Sequence, residues 1–256
     1  MKKDQTVLAY CNLFGVLGAI PALLRLDENA KKLVEKHRIS IGFSVKNGPQ
    51  GTLFFDRGEA TMREGCKGCT IKLYFSSCKK FNDMIDGTGL PLPVSGFFRL
   101  GFLLREFMKL TDILSAYLRP TPEALEDEGF FLRSTKLMLH VIAGAVAQIG
   151  NVDPVGRFSA SNIVDGDISL TVSDPVHEST SVAVRAKDHH LTVLDEIPEH
   201  SFSEMRFDSY KTARALFDGE INAVAAVGSG KVRIGGMISQ IDNVNRILDR
   251  VSIYLA

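Results

Sequence analysis

The sequence predicts an α+β protein made of two copies of one fold in tandem, each an antiparallel sheet with helices on one face. Three observations predict it. The first is a long internal repeat. SGFFRLG at 95–101 and SGKVRIG at 229–235 share four of seven positions, with a Leu/Ile exchange at a fifth. Upstream, FSSCKKFNDMIDG (75–87) lines up with FDSYKTARALFDG (207–219); downstream, Ile113-Leu114 falls on Ile247-Leu248. The offset is 132 residues before the glycine loops and 134 after them, so one two-residue gap reconciles the copies. Solenoid periods are about 20–50 residues, so this repeat means two whole domains. The second observation is a switch of apolar period, from helical to two, in the same order in both copies. The third is Arg119-Pro120-Thr121-Pro122 with the acidic stretch 123–128 behind it, which stops a helix and turns the composition polar midway. It divides the chain into domains 1–120 and 121–256.

The elements follow in order. An apolar helix covers 6–20. Pro21 breaks it and suits the start of a second helix, reaching about residue 36, with Leu23, Leu26, Ala30 and Leu33 on one face. Ile39, Ile41, Phe43 and Val45 then alternate with small or polar residues, the mark of a strand, and Lys46-Asn47-Gly48 turns the chain. Strands at 52–56, 60–64 and 70–75 complete a four-strand antiparallel meander. Ser76 or Ser77 caps a helix over 79–85, and Gly87 closes it. In the second copy a helix covers 133–149. A polar loop with Asp153, Pro154 and Gly156 replaces the second helix. Strands follow at 168–172, 181–186, 191–194 and 203–207. Asp208 or Ser209 caps a helix over 211–217, and Gly219 ends it.

Composition excludes some functions. The 30 basic and 30 acidic residues cancel, with no long run of either sign, which argues against a nucleic-acid footprint. All four cysteines lie in the first half; so few suit a reducing compartment, and the expected location is the cytoplasm. Lys2-Lys3 precedes an apolar stretch over 7–24, as in a signal peptide. Asp4 sits in the basic region, however, and the spacing of Ala19 and Ala22 is wrong for cleavage. The counterpart at 137–149 is internal. Neither run is 18 clean apolar residues, so both read as packed helices rather than membrane spans.

The most informative stretch follows the second Asp-Gly: DGEINAVAAVGSGKVRIGGMISQIDNVNRIL. It resembles the end of the sterol carrier protein domain, a lipid-binding module. That family's pattern is a helix ending in glycine, a short helix of small apolar residues, G-K-L-K-I-x-G, and a terminal amphipathic helix. Gly230-Lys231-Val232-Arg233-Ile234-Gly235 matches it position by position, with Asp218-Gly219 as the helix stop and 222–227 as the small apolar helix. The first copy is divergent. Phe97 stands where the lysine is expected, Arg99 and Gly101 remain, and Leu90-Pro91-Leu92-Pro93 predicts an irregular segment in place of the short helix.

The resemblance implies a non-catalytic function: binding or transfer of a fatty acid, acyl-coenzyme A, phospholipid or other lipid in an apolar cavity between sheet and helices. No cofactor or metal is implied. The partner would be a hydrophobic small molecule or lipid, with transient membrane contact and no nucleic acid. The residues independently offer an apolar layer for this. Phe97, Phe98, Phe102, Leu103 and Phe107 crowd one region of the first copy. Val224, Val227, Ile234, Met237 and Ile241 do so in the second. Burial yields about 0.8 kcal/mol per CH₂, so a chain of roughly 16 carbons supplies on the order of 10 kcal/mol gross. Lys231 and Arg233 are candidates for an acidic head group, against the plainer reading of exposed strand charges.

Other readings stay open. The same apolar layer fits plain core packing, or a subunit interface in a structural or assembly module. Cys66-Lys67-Gly68-Cys69 is a CxxC and could bind zinc or cycle as a dithiol. It precedes a strand rather than opening a helix, and Cys78 and His37 are the nearest further ligands, so an ordinary hairpin loop is favoured. Asp188-His189-His190 falls on a turn. Gly228-Ser229-Gly230-Lys231 fails the phosphate-loop pattern at Ala225 and Val232.

Overall fold

The structure, a computed structural model, describes residues 3–255. They form two compact units, divided between Leu137 and Met138.

The first unit opens with the helix Gln5–Leu26. Asp4 caps it, its Oδ1 accepting from the Thr6 N–H at 2.7 Å. Pro21 does not break this helix, contrary to the sequence expectation. A π-helical stretch, Cys11–Val16, and a 3₁₀ turn, Leu17–Ala19, re-phase the hydrogen bonds ahead of it. Pro21 therefore lands in the first turn of the α-helical segment Ile20–Leu26, where its missing N–H is not demanded. The break comes at Asp27 instead. Its backbone is extended, and its Oδ1 accepts from the Ala30 N–H at 2.8 Å to start the helix Glu28–Val34.

The first sheet has five strands: β1 (Arg38–Val45), β2 (Gln50–Asp56), β3 (Glu59–Glu64), β4 (Ile71–Phe75) and β5 (Leu92–Ser95), in the order β3-β2-β1-β4-β5. The expected antiparallel meander is corrected here. β4 returns to the far side of β1 and pairs with it in parallel, from Ile41 opposite Ile71 to Val45 opposite Phe75. Burial explains the placement. Ile71, Leu73 and Phe75 are all buried, as a central strand requires. The polar β3, with Glu59, Arg63 and Glu64 exposed, tolerates the edge. Residues 65–70 are therefore a crossover and not a hairpin loop. The segment expected to be irregular supplies the other edge strand, β5. Pro93 has no N–H to donate, which an edge position permits.

The second unit repeats this plan. Its strands are β6 (Gly166–Val172), β7 (Thr180–Lys187), β8 (His190–Val193), β9 (Ser203–Phe207) and β10 (Val232–Gly236), ordered β10-β9-β6-β7-β8. β6 and β9 are again a parallel central pair, from Ile168 opposite Ser203 to Val172 opposite Phe207. The polar loop expected near Asp153 is instead the helix Pro154–Ala160. Asp153 Oδ1 accepts from the N–H groups of Val155 and Gly156 at 3.0 and 2.9 Å, and Pro154 supplies a pre-set φ at the first helical position. Ser77 and Ser209 cap the helices Cys78–Ile85 and Tyr210–Phe217.

The two heptapeptides that betray the duplication do not occupy the same place. Gly96 and Gly236 are the true counterparts. Each ends an edge strand at positive φ, 80° and 84°. In each, an added Cβ would run into the backbone beside the parallel strand: Thr70 O and Ile71 for Gly96, Phe202 O and Ser203 for Gly236. Leu92-Pro93-Val94-Ser95-Gly96 thus stands where Val232-Arg233-Ile234-Gly235-Gly236 does, and Phe97–Arg99 is a 3₁₀ turn. The first unit runs straight from Gly87 to Gly96. The second takes the longer route from Gly219 to Gly236 and folds the extra residues into the short helix Ala223–Gly228. The single two-residue gap inferred from sequence is replaced by this larger difference.

Beyond its sheet each unit has a terminal helix, Met108–Leu118 in the first, ahead of the start of Glu128–Val152, and Ile238–Leu255 in the second. Two helices, Gln5–Leu26 and Glu128–Val152, are long and apolar enough to cross a bilayer by length and composition alone. Most of each apolar window, 67% and 61%, is buried inside the fold.

Candidate functional site

In the second unit, period-two alternation puts Ile168 and Leu170 of β6, Val184 of β7 and Leu191 of β8 on one sheet face. Val146 of the helix Glu128–Val152 and Val244 of the terminal helix close over them. These six side chains surround an apolar gap of about 10 Å³. That is room for about one water molecule, far less than an acyl chain needs.

In the first unit aromatic rings stand at the corresponding interior positions. Phe43 occupies the register position of Leu170: Phe43 lies opposite Leu73, two residues before the Val45–Phe75 pair, as Leu170 lies opposite Met205. The Phe43 and Phe55 rings both reach Phe107, with centroids at 6.3 and 6.4 Å. Phe102 packs on Phe55 at 5.5 Å, and Phe81 on Phe43 at 6.2 Å. Phe43, Phe55, Phe81, Phe102 and Phe107 thus crowd the interior of this unit.

A buried ionic knot holds the terminal helix of the second unit. Tyr254 donates to Asp153 Oδ2 at 2.7 Å, Arg250 Nη2 donates to the same oxygen at 2.7 Å, and Arg250 Nε lies 2.6 Å from Oδ1. Burial opposes ionisation of Asp153, but the bonds from Arg250, Tyr254 and Gly156 outweigh it and hold the carboxyl below its usual range. Burial, then the bond to Asp153, pushes Tyr254 up to about 12. At the other end of the helix, buried Gln240 donates to Val164 O at 2.8 Å. The first unit carries a counterpart. Tyr117 donates to Asp27 Oδ2 at 2.7 Å, and Arg133 Nε donates to the Tyr117 hydroxyl at 2.8 Å. In both units the aspartate that caps the helix after the opening one also anchors the terminal helix. Sequence reasoning missed this pairing. Its signal was an aspartate at a helix break in each copy and a tyrosine near each copy's end.

The residues singled out from sequence do not form one chamber. Phe102, Leu103, Phe107 and Ile241 are buried core. Phe97, Phe98, Val224, Val227 and Ile234 are on the surface, and Met237 is half-buried. Lys231 and Arg233 are exposed, and Arg233 sits opposite Arg206 across β10 and β9. The gap-lining side chains of the sheet were not among the candidates, although the alternation of β6 marked them.

The thiols of the crossover turn inward. Cys66 Sγ donates to Phe43 O at 2.8 Å, and Cys69 packs against Gly42. Burial, then neighbouring Cys69, pushes the Cys66 pKa up, which keeps the thiol protonated and a poor nucleophile or ligand. Among the described residues, no group of three or more His, Cys, Asp or Glu stands close enough to hold a metal ion. Asp188 and His189 sit in a turn at positive φ, 50° and 64°. An open groove of about 400 Å³ lies on the first unit between Gln5, Lys46, Ser76, Ser77 and Lys79.

No protein-family model matches the chain, and no curated protein does. Solved structures similar to it include sterol carrier protein domains. Domain 2 of the sterol carrier protein from Helicoverpa armigera is 15% identical, covering 46% of this chain and 88% of its own, with a TM-score of 0.37. A palmitated sterol carrier protein 2-like protein from Aedes aegypti is 15% identical, covering 42% and 90%, with a TM-score of 0.32. A ubiquinone synthesis protein with a sterol carrier protein 2 domain is 18% identical, covering 44% and 92%, with a TM-score of 0.32.

Proposed function

We propose that the protein binds and passes on a hydrophobic lipid, and that the second unit takes it up between its sheet and the helix Ile238–Leu255. One observation carries the reading. The apolar interior of that unit is left slightly open at Val146, Ile168, Leu170, Val184, Leu191 and Val244, whereas phenylalanines crowd the interior of the first unit. The motif Gly230-Lys231-Val232-Arg233-Ile234-Gly235, which resembles the sterol carrier pattern, lies in the same unit. The fold needs no catalytic group for this. Enclosure is driven by transfer of methylenes out of water, and the reading assigns no covalent step. Fatty acids, acyl-coenzyme A, phospholipids and isoprenoid lipids are the ligand classes to probe.

Displacement of a fluorescent fatty acid, with native mass spectrometry of the purified chain, tests it. Val244→Phe fills the gap with the residue type the first unit uses and is expected to lower uptake at least tenfold, at a stability cost of about 1–3 kcal/mol. Val184→Ala enlarges the gap and is expected to raise uptake. Phe107→Ala, in the first unit, should leave uptake by the second unchanged. A wild-type chain that neither carries lipid nor displaces the probe would end the proposal.

A further inference from the structure

The first unit spends its divergence on its surface. Between Gly87 and Met108 it exposes Leu90, Leu92, Phe97, Phe98, Leu104 and Met108. Leu90 is 92% exposed, and Phe98 is as open as in an extended chain, at 103%. Val94 joins Leu92 on one side of β5, because residues two apart share a face. Leu104 and Met108 are one helical turn apart and face out together. A monomer surface does not ordinarily hold large apolar side chains this close along the chain.

Charge says what covers them. No aspartate or glutamate occurs from Gly87 to Arg105, while Arg99, Arg105 and Lys109 are exposed among the apolar residues. The first carboxylate beyond, Glu106, is turned inward, with its side chain 24% exposed and Arg105 at 4.0 Å. Exposed phenylalanine and leucine flanked by long cations is the pattern of an interfacial anchor, where apolar groups sink below the head groups and cations stay at their level. A second copy of the chain is the weaker occupant. Its simplest approach is to add a strand to β5, and Pro91 and Pro93 lack the N–H donors that pairing requires.

We infer that the segment from Leu90 to Lys109 docks the first unit on an anionic lipid bilayer. The surface is separate from the proposed lipid-binding interior, so the two readings fail independently.

Flotation of the full chain with vesicles tests it, comparing phosphatidylcholine alone with phosphatidylcholine plus phosphatidylglycerol. Wild-type protein is expected to float with the anionic vesicles and to be released by salt. Phe97→Ser with Phe98→Ser, both on the surface, should abolish flotation while leaving the melting temperature in place. Arg99→Gln with Arg105→Gln should weaken it about fivefold per charge removed. Absence of flotation, or flotation unchanged in both double variants, overturns the inference. So does a constitutive dimer in sedimentation velocity that the phenylalanine variant dissociates while vesicles go unbound.

Discussion

Tyr254→Phe is the most discriminating change, because it removes one oxygen and leaves the packing of the ring. The Tyr254 hydroxyl reaches Asp153 at 2.7 Å, and both residues are buried, with exposures of 4% and 1%. A hydrogen bond to a charged group contributes about 1.5–3 kcal/mol. Asp153 keeps the bonds from Arg250, Val155 and Gly156, so about 2 kcal/mol is the expected loss. The loss falls where the terminal helix meets the helix Pro154–Ala160. Hydrogen exchange over Ile238–Leu255 should therefore speed up roughly 30-fold if the helix opens locally. Tyr117→Phe breaks the equivalent bond to the more exposed Asp27 and should cost about 1 kcal/mol, read in the first unit's helix Met108–Leu118. The reasoning is refuted if Tyr254→Phe leaves exchange in the terminal helix within threefold of wild type, or if Tyr117→Phe destabilises the chain more than Tyr254→Phe does.

The same knot sets two pH limbs. Asp153 is held below its unfolded value of about 3.9, so its contribution is whole above that pH and fades as acid titrates it through its lower folded value. Asp153→Asn should abolish that part of the acid limb in urea titrations. Tyr254, pushed from 10.0 to about 12, contributes fully below pH 10 and loses its contribution as pH rises from about 10 to 12. Tyr210, also near 12, titrates alongside it, so Tyr254→Phe should flatten the alkaline limb only in part. Gly96→Ala and Gly236→Ala each place a Cβ against backbone at positive φ, and thermal melting should register a loss of about 2–4 kcal/mol from each. Thiol titration of the native chain should modify the half-exposed Cys69 first, with buried Cys66 and Cys78 following only on unfolding.

The strands, the serine caps and the doubled architecture were legible because each has a local signature. Ile39, Ile41, Phe43 and Val45 announce a strand by alternation alone. The parallel return of β4 was not legible, because a crossover and a hairpin loop look alike in six residues of Gly, Cys, Lys and Thr. The place of Pro21 depended on hydrogen-bond phase, which a π-helical stretch ahead of it reset. The glycine heptapeptides misled because identity of letters outran identity of position: what Gly96 and Gly236 share is a close approach to a neighbouring backbone, and only three dimensions reveal it. The interior site was half legible. Helix residues such as Ile241 drew attention through their crowding, while Ile168 and Leu170 across the gap looked like ordinary strand.

The parallel pair at the centre of each sheet also orders events in time. β1 can form a hairpin with β2 and then β3 as soon as those residues leave the ribosome, but its other edge stays open until β4 emerges. The middle of the sheet is thus completed after one of its edges. In the first unit the chain that must carry β4 across is the short crossover holding Cys66 and Cys69; the buried Cys66 thiol fastens it to β1 at Phe43, and Cys69 packs beside Gly42. A change in that crossover should reveal itself first as slow or aggregation-prone folding, measured as refolding yield and rate after dilution from urea.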